Sequence, residues 1–428
     1  MLLKNNFRLN YLSFSIYTLG ILLFILSGCK NTTEKETVKD SDSELHAEKP
    51  DSTAWVGTWG TAPQLVEPHN MPPEPGLSNN TIRQVVRVSI GGDSLRLRFS
   101  NEFSTDTVVM KKVSIAVSKG GSVIDTTTIK RLKFNDESEV VMNPGIAVTS
   151  DPLSFDLKPR TDVAITIYFG RTSSDVTGHP GSRTTSYILE GDKTTAADFT
   201  DATETDHWYN INGIDVKAPA SSGAVVILGN SITDGRGSGT NKQNRWPDIL
   251  SERLLENTGT SHVGVLNMGI GGNCVLRECL GPSAIDRFER DVLSQHNVRW
   301  LIILEGVNDL GQTPDSTSAA KVAKEIIEAY QGMINKAHTH NIKVYGATIL
   351  PFNQSFYYKD YREEARKTVN EWIRNSGEFD GVIDFAKALQ SPEDASTILS
   401  EAHSGDFLHP NENGYKMMGE AVDLGLFK

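Results

Sequence analysis

From Trp55 to about Asp215 the chain alternates apolar and polar positions with a period of two. Ile82 to Ile90 alternates around Arg83, Arg87 and Ser89, and Leu95, Leu97 and Phe99 alternate with Arg96 and Arg98. The intervening Gly91-Gly92-Asp93 predicts a hairpin turn. Further runs at Val113–Val117, Ile129–Phe134, Glu139–Met142, Leu153–Leu157 and Val163–Phe169 predict more strands, separated by polar turns. Together they predict an antiparallel β-sandwich or jelly-roll domain over residues 54–218. At Pro219 the pattern changes. Val225-Val226-Ile227-Leu228 is continuously apolar, as in a strand buried on both faces. Similar runs occur at Val263–Asn267, Leu301–Leu304, Val344–Ile349 and Val382–Asp384. Between them, helical spacing marks Trp246–Glu256, Ser283–Gln295, Ser318–His338 and Tyr361–Asn375, with a closing helix near Asn413–Leu424. Alternating strands and helices predict a parallel, three-layer α/β domain over residues 219–428.

The first 53 residues fit neither pattern. Lys4 and Arg8 precede an apolar run from Tyr11 to Leu26, which is shorter than the ~20 residues of a membrane span. With small residues following, it reads as a secretory signal over residues 1–28. Leu26-Ser27-Gly28-Cys29 resembles a bacterial lipobox, which implies cleavage before Cys29 and lipidation of its thiol. Residues 29–53 read as a flexible tether: positions 30–53 hold eleven charges, no aromatic and three aliphatic side chains. Too little apolar area is available there to offset the entropy of ordering. The expected setting is the bacterial cell envelope, lipid-anchored, with Lys30 fitting outer-membrane sorting.

Charge narrows the function classes. The 42 lysines and arginines stand against 54 acids, a net −12, so a basic nucleic-acid footprint is absent and anionic membrane surfaces are poor partners. Three cysteines are too few for a disulfide-built fold.

The chemistry gathers at strand ends, where parallel sheets place ligands. Gly229-Asn230-Ser231-Ile232-Thr233-Asp234-Gly235 follows the first buried strand. Ser231 is there a nucleophile if a base reaches it, or else a helix cap. The segment is not the G-x-S-x-G elbow, because Thr233 holds the last position. After the second strand comes Asn267-Met268-Gly269-Ile270-Gly271-Gly272-Asn273, whose glycines let a backbone N–H approach an oxyanion, or simply turn. A dinucleotide loop would need a helix to open directly after it, and Cys274 to Pro282 reads as loop. Glu305-Gly306-Val307-Asn308-Asp309 offers an amide to a developing oxyanion, or an Asx turn. In Asp406-Phe407-Leu408-His409-Pro410, the acid and imidazole stand three apart, close enough to pair and leave the other ring nitrogen for a serine.

Taken in order, these four segments resemble the SGNH (GDSL) hydrolase superfamily over about residues 224–428. The resemblance implies Ser231 as nucleophile, His409 as base and Asp406 as orienter. It implies an oxyanion hole from the Ser231 and Gly272 N–H groups and the Asn308 amide, on a five-stranded parallel sheet between helices. The family's usual Gly-Asp-Ser is Gly-Asn-Ser here, which puts in question the bonding that shapes this turn. Trp55-Val56-Gly57-Thr58-Trp59, Arg83-Gln84-Val85-Val86-Arg87, His179-Pro180-Gly181-Ser182-Arg183, Asn244-Arg245-Trp246-Pro247 and Gly281-Pro282-Ser283 are similar to a bacterial subgroup with an N-terminal β domain. That extends the resemblance to residues 54–428.

Other candidates are weaker. His179, Arg183 and Trp246 are read as possible substrate-loop residues, His179 alternatively as an ordinary loop histidine. Cys274 and Cys279 form either a disulfide or two free thiols. His338 and His340 point to different helix faces, and no other histidine has metal-ligand spacing, so neither metal nor cofactor is expected. His403 lacks a carboxylate three residues before it. Asp384, at a strand end, is a rival orienter or a structural carboxylate. Asp309 reads as holding its loop, and Trp55 and Trp59 as packing rather than sugar stacking. The expectation is a serine esterase that deacylates through an acyl-enzyme, with a short acyl ester such as acetate on a glycan as substrate. A lipase or general carboxylesterase, and an inactive glycan-binding lipoprotein, are the alternatives.

Overall fold

The computed structural model describes residues 52–428. The signal segment, Cys29 and nearly all of the tether lie outside the described residues.

The region before Pro219 is all antiparallel β. One sheet orders strands Thr53–Gly60, Ile211–Pro219, Gly92–Asn101 and Leu153–Leu157, with Ile146–Thr149 also on Gly92–Asn101. A larger sheet is built around Asn80–Arg87, Asp162–Phe169 and Val108–Gly120. A small third sheet joins Trp208–Tyr209, Thr177–His179 and Gln64–Leu65. The period-two reading holds in part at side-chain level: Leu95, Leu97 and Phe99 are fully buried, but Arg83, Ser89 and Arg98, read as the alternate polar positions, are buried too.

The expected hairpin at Gly91-Gly92-Asp93 does not form. Asn80–Arg87 sits in the larger sheet and Gly92–Asn101 in the smaller, so the segment crosses between sheets. The glycines serve that crossing: a Cβ on Gly91 would lie 2.2 Å from the Leu157 carbonyl oxygen, and one on Gly92 2.6 Å from that of Lys217.

After Pro219, five parallel strands order as β2-β1-β3-β4-β5, where β1 is Gly223–Gly229, β2 Val263–Gly269, β3 Val298–Leu304, β4 Lys343–Ala347 and β5 Gly381–Ile383. Every residue of β1 is buried, as its unbroken apolar run predicts. Long helices are Trp246–Glu256 (α2), Ser316–Thr339 (α4), Asp360–Asn375 (α5) and Glu412–Ala421 (α7). α4 buries Ala319, Ala323, Ile326, Tyr330, Met333, Ile334 and Ala337, a stripe at helical spacing, and Asp315 caps it by accepting from the Ser318 N–H. Short helices Ser231–Asp234 (α1), Val307–Gly311 (α3) and Phe385–Leu389 (α6) go unpredicted, being too short to show a period. The helix expected over Ser283–Gln295 shrinks to turns and one wide helical turn, Glu289–Leu293. Its Arg287 is drawn into the core.

The β region and the parallel sheet share one apolar core. A Cβ on Gly264 of β2 would lie 2.2 Å from the Gly57 carbonyl oxygen, and the Val265 N–H donates to Ser89 Oγ at 2.9 Å.

Register then brings the site together. Gly229 of β1 stands beside Gly269 of β2 and Leu304 of β3. The three loops leaving these residues meet where the chain winds outward in both directions from β1 and β3, the position at which open α/β sheets bind ligands.

Candidate active site

Beyond Gly229 the backbone of Asn230 is extended, and its Oδ1 accepts from the Ile232 N–H, capping α1. Ser231 is therefore not the cap. As first residue of α1 it is free to turn its hydroxyl elsewhere, and Ser231 Oγ lies 2.9 Å from His409 Nε2. The Asn230 amide settles the turn chemistry. Its Nδ2 donates to Glu305 Oε2 at 3.2 Å. An aspartate at 230 would set a second carboxyl against Glu305, which burial already pushes up to about 8.

His409 comes from the segment before α7. Its Nδ1 lies 2.6 Å from Asp406 Oδ2, while Asp406 Oδ1 accepts the backbone N–H groups of His409 at 2.9 Å and Leu408 at 3.0 Å. Phe407 between them is left-handed, with φ 57°, and this folds the aspartate back over its own loop. Burial alone would raise the Asp406 carboxyl, but the His409 backbone N–H, the His409 ring and the Leu408 N–H outweigh it and hold it down to about 2. Burial is also the largest influence on His409 and pushes the imidazole below its ordinary value. Arg236 and Arg183 push the same way, and Asp406 opposes them. The chain thus presents a hydroxyl, a neutral imidazole and an ionised carboxylate in series.

Gly272 and Asn308 line the same cleft as Ser231 and His409. Gly272 has φ +71°, and a Cβ there would meet Leu280 at 2.7 Å, so only glycine suits the position. Among the described residues, the Ser231 and Gly272 N–H groups donate to no protein acceptor. Asn308, on α3, donates from Nδ2 to the Asn273 carbonyl at 2.7 Å and accepts at Oδ1 from the Tyr357 hydroxyl at 3.0 Å. That orientation commits one amide hydrogen and leaves the second.

Sequence reasoning missed the clamp beneath these loops. Arg287 is buried and donates to the Gly229 carbonyl at 2.9 Å, the Met268 carbonyl at 2.6 Å, Asn273 Oδ1 at 3.0 Å and Glu305 Oε1 at 3.4 Å. One guanidinium so ties the ends of β1, β2 and β3. An arginine inside an apparently amphipathic stretch reads as solvent-facing, so nothing in the pattern marked it. Glu305 was visible only as a charge ending an apolar run.

The substrate-loop expectations divide. Arg183 lines the cleft. His179 does not reach substrate: it is buried, with Nδ1 on the Ala62 carbonyl at 2.9 Å and Nε2 on Asp234 Oδ1 at 2.9 Å. It braces α1 from behind, three residues beyond Ser231. Trp246 is likewise no substrate-loop residue, being fully buried on α2 with its ring 5.0 Å from that of Phe385. Its position on the inward stripe of the helix overrides the loop reading. Cys274 and Cys279 are joined by a disulfide. Asp309 accepts the Val275 and Leu276 N–H groups at 2.9 and 3.1 Å and so holds its loop. Asp384 pairs with Arg374 and Thr348, and His403 accepts the Gly405 N–H, so neither stands in the series. Trp59 packs edge-on to Trp208 at 5.1 Å, and Trp55 lies under Arg96.

The cleft, of about 430 Å³, is lined from both regions. The β region supplies the polar Gln64, Glu67, His69, Asn70, Arg183 and His207, together with Pro180 and Gly181. Phe356 stands at the cleft 68% exposed.

Residues 227–417 match the GDSL-like lipase/acylhydrolase family. No curated protein matches the chain. Among solved structures, an acetyl xylan esterase is similar at 24% identity over 46% of this chain and 96% of its own, with a TM-score of 0.36. A member of the lipolytic G-D-S-L family from Veillonella parvula is 22% identical over 47% of this chain and 96% of its own, TM-score 0.35. A catalytic mutant of an acetylxylan esterase from Geobacillus stearothermophilus is 19% identical over 47% of this chain and 92% of its own, TM-score 0.37.

Proposed function

We propose that this chain, whose residues 227–417 form a GDSL-like lipase/acylhydrolase domain and make it a carboxylic ester hydrolase, works as a serine esterase that removes short acyl groups, such as acetate, from a glycan. The observation that carries the mechanism is the unbroken series Ser231 Oγ–His409 Nε2 at 2.9 Å and His409 Nδ1–Asp406 Oδ2 at 2.6 Å. Ser231 Oγ bonds to the ester carbonyl carbon as its proton passes to His409 Nε2. Asp406 holds the imidazole in the tautomer that accepts there and stabilises the imidazolium. The tetrahedral oxyanion is met by the Ser231 and Gly272 N–H groups and the spare Asn308 amide hydrogen. Collapse expels the alcohol, which takes the proton from His409. Water, deprotonated by the same imidazole, then releases the acid and restores Ser231.

A short acyl group fits the lining. A long-chain lipase needs an extended apolar channel, whereas half of this cleft's lining is polar, with Pro180, Leu280, Phe356, Tyr357 and Leu408 as its apolar and aromatic surface. Polar walls beside an exposed aromatic face suit a hydroxyl-rich alcohol. The lipobox-like Leu26-Ser27-Gly28-Cys29 supplies the setting in this reading, a lipid anchor in the bacterial envelope. The test is turnover across nitrophenyl esters of rising acyl length alongside acetate release from acetylated polysaccharides. Preference for acetate supports the proposal, a maximum at long chains makes the protein a lipase, and no turnover at all makes it a binding protein.

Asn308→Ala should lower turnover about 10²–10³-fold, the usual worth of one oxyanion donor, with less effect on substrate binding. Single-turnover acylation and a melting curve on the same sample separate this from loss of a turn residue. Unchanged acylation in a folded variant would remove Asn308 from the site.

The pH profile follows from His409. Its imidazole is pushed below 6.5, so the neutral, proton-accepting form persists to lower pH than for an exposed histidine. The acid limb of kcat/KM should therefore have its midpoint below pH 6.5. A midpoint above that value, or a rate flat down to pH 4, would contradict a buried histidine base.

A further inference from the structure

We propose that Arg183 and Arg236 form an anion subsite beside Ser231, so that the glycan carrying the scissile acyl group is an acidic one, bearing carboxylates on its sugar rings. The inference rests on the esterase reading above and names the substrate class for that same cleft.

Both side chains line the cleft that contains Ser231 and His409. Arg183 comes from the β region, and Arg236 from the turn that ends α1. Among the described residues neither forms an ion pair with a carboxylate, and Arg183 Nε is buried without a hydrogen-bond partner. The acids nearby are held by hydrogen bonds, although Asp234 Oδ2 is buried without a partner. Glu67 accepts from Gln64 Nε2 at 2.9 Å and Asn70 Nδ2 at 3.1 Å, and Asp234 pairs with His179 at 2.9 Å. Asp406 is held by His409. Of the histidines there, His207 has Nδ1 on the Pro180 carbonyl at 2.7 Å, and His69 is exposed. Among the described residues, the cations facing substrate that no carboxylate pairs are thus two guanidiniums.

Their backbones are anchored, which lets the pair act as a fixed receptor. The Arg236 N–H donates to the Ser231 carbonyl at 2.9 Å, and its own carbonyl accepts from the buried Tyr415 hydroxyl at 2.7 Å. The Arg183 carbonyl accepts the Asn241 N–H at 2.9 Å, at a left-handed residue with φ 51°. Guanidinium presents its donors in a planar fork that matches a carboxylate. Leaving two such groups unpaired within one cleft also raises the cost of keeping His409 protonated, since both lower its pKa. A bound anion would relieve that repulsion and steady the imidazolium formed during acylation.

The experiment compares acetate release from acetylated polygalacturonate with release from the same polymer after its carboxyl groups are reduced to alcohols. Nitrophenyl acetate serves as a charge-free control. Wild type is expected to favour the charged polymer about a hundredfold in kcat/KM, mostly through KM, with the preference shrinking as salt is raised. Arg183→Met and Arg236→Met should each reduce that preference about tenfold, the usual worth of a hydrogen bond to a charged group, and the double variant should remove it. Arg183→Lys should keep part of it. Equal or absent rates on the two polymers while nitrophenyl acetate is hydrolysed would overturn the anion subsite alone. A preference that survives both substitutions would do the same. Failure of wild type to hydrolyse nitrophenyl acetate would instead overturn the esterase reading. The wild-type comparison needs no variant to fold.

Discussion

Ser231→Ala should abolish ester hydrolysis, with a loss in turnover approaching ~10⁶. The serine hydroxyl makes its bond to His409 Nε2 alone among the side-chain contacts of the site, and the cap of α1 belongs to Asn230. Replacing the hydroxyl by hydrogen therefore removes the nucleophile without unpairing a structural donor. The melting temperature should stay close to wild type. Turnover of nitrophenyl acetate and a thermal melt on the same preparation check this. A folded variant keeping more than a tenth of wild-type turnover would show that the hydroxyl does not attack.

Asp406→Asn should be the next most damaging change, costing about 10⁴ in turnover. The amide oxygen can still accept the Leu408 and His409 backbone N–H groups that Asp406 Oδ1 now accepts. The loop should hold for that reason. The other amide position, however, presents a donor where Oδ2 accepts from His409 Nδ1. The imidazole then turns its N–H toward Ser231 and loses the lone pair that takes the proton. The loss should be smaller than for Ser231→Ala, because a folded base and nucleophile remain in place. Residual activity within tenfold of wild type would assign the orienting role elsewhere, and Asp384, occupied by Arg374 and Thr348, is not placed to take it.

Much of this is legible in the sequence. The period of two located the β region, and the apolar runs located all five parallel strands to within a few residues, because burial on both faces leaves no polar gaps. The site segments were legible because each follows a strand end, and parallel topology gathers such ends on one side. What failed was information carried between distant residues. The period of two says nothing about which sheet a strand joins, so the crossing at Gly91 and Gly92 looked like a hairpin. His179 and Asp234 meet across 55 positions, and no local pattern announces that pairing. Trp246 stood beside a polar loop in sequence while its helix turned it inward. Arg287 and Glu305 were hidden by their charge, since a charged side chain is expected at the surface unless partners are known in advance. Asn230 was noticed as a departure from Gly-Asp-Ser, and its explanation, a donor for a buried Glu305, needed the third dimension.

Ser231 Oγ is the proposed activated nucleophile, and covalent labelling reads this directly. The full chain is treated with a fluorophosphonate at neutral pH and the adduct is located by peptide mass. One equivalent on Ser231, absent from Ser231→Ala and formed far more slowly by Asp406→Asn, is the predicted result. An unlabelled protein, or an adduct on another residue, would contradict it.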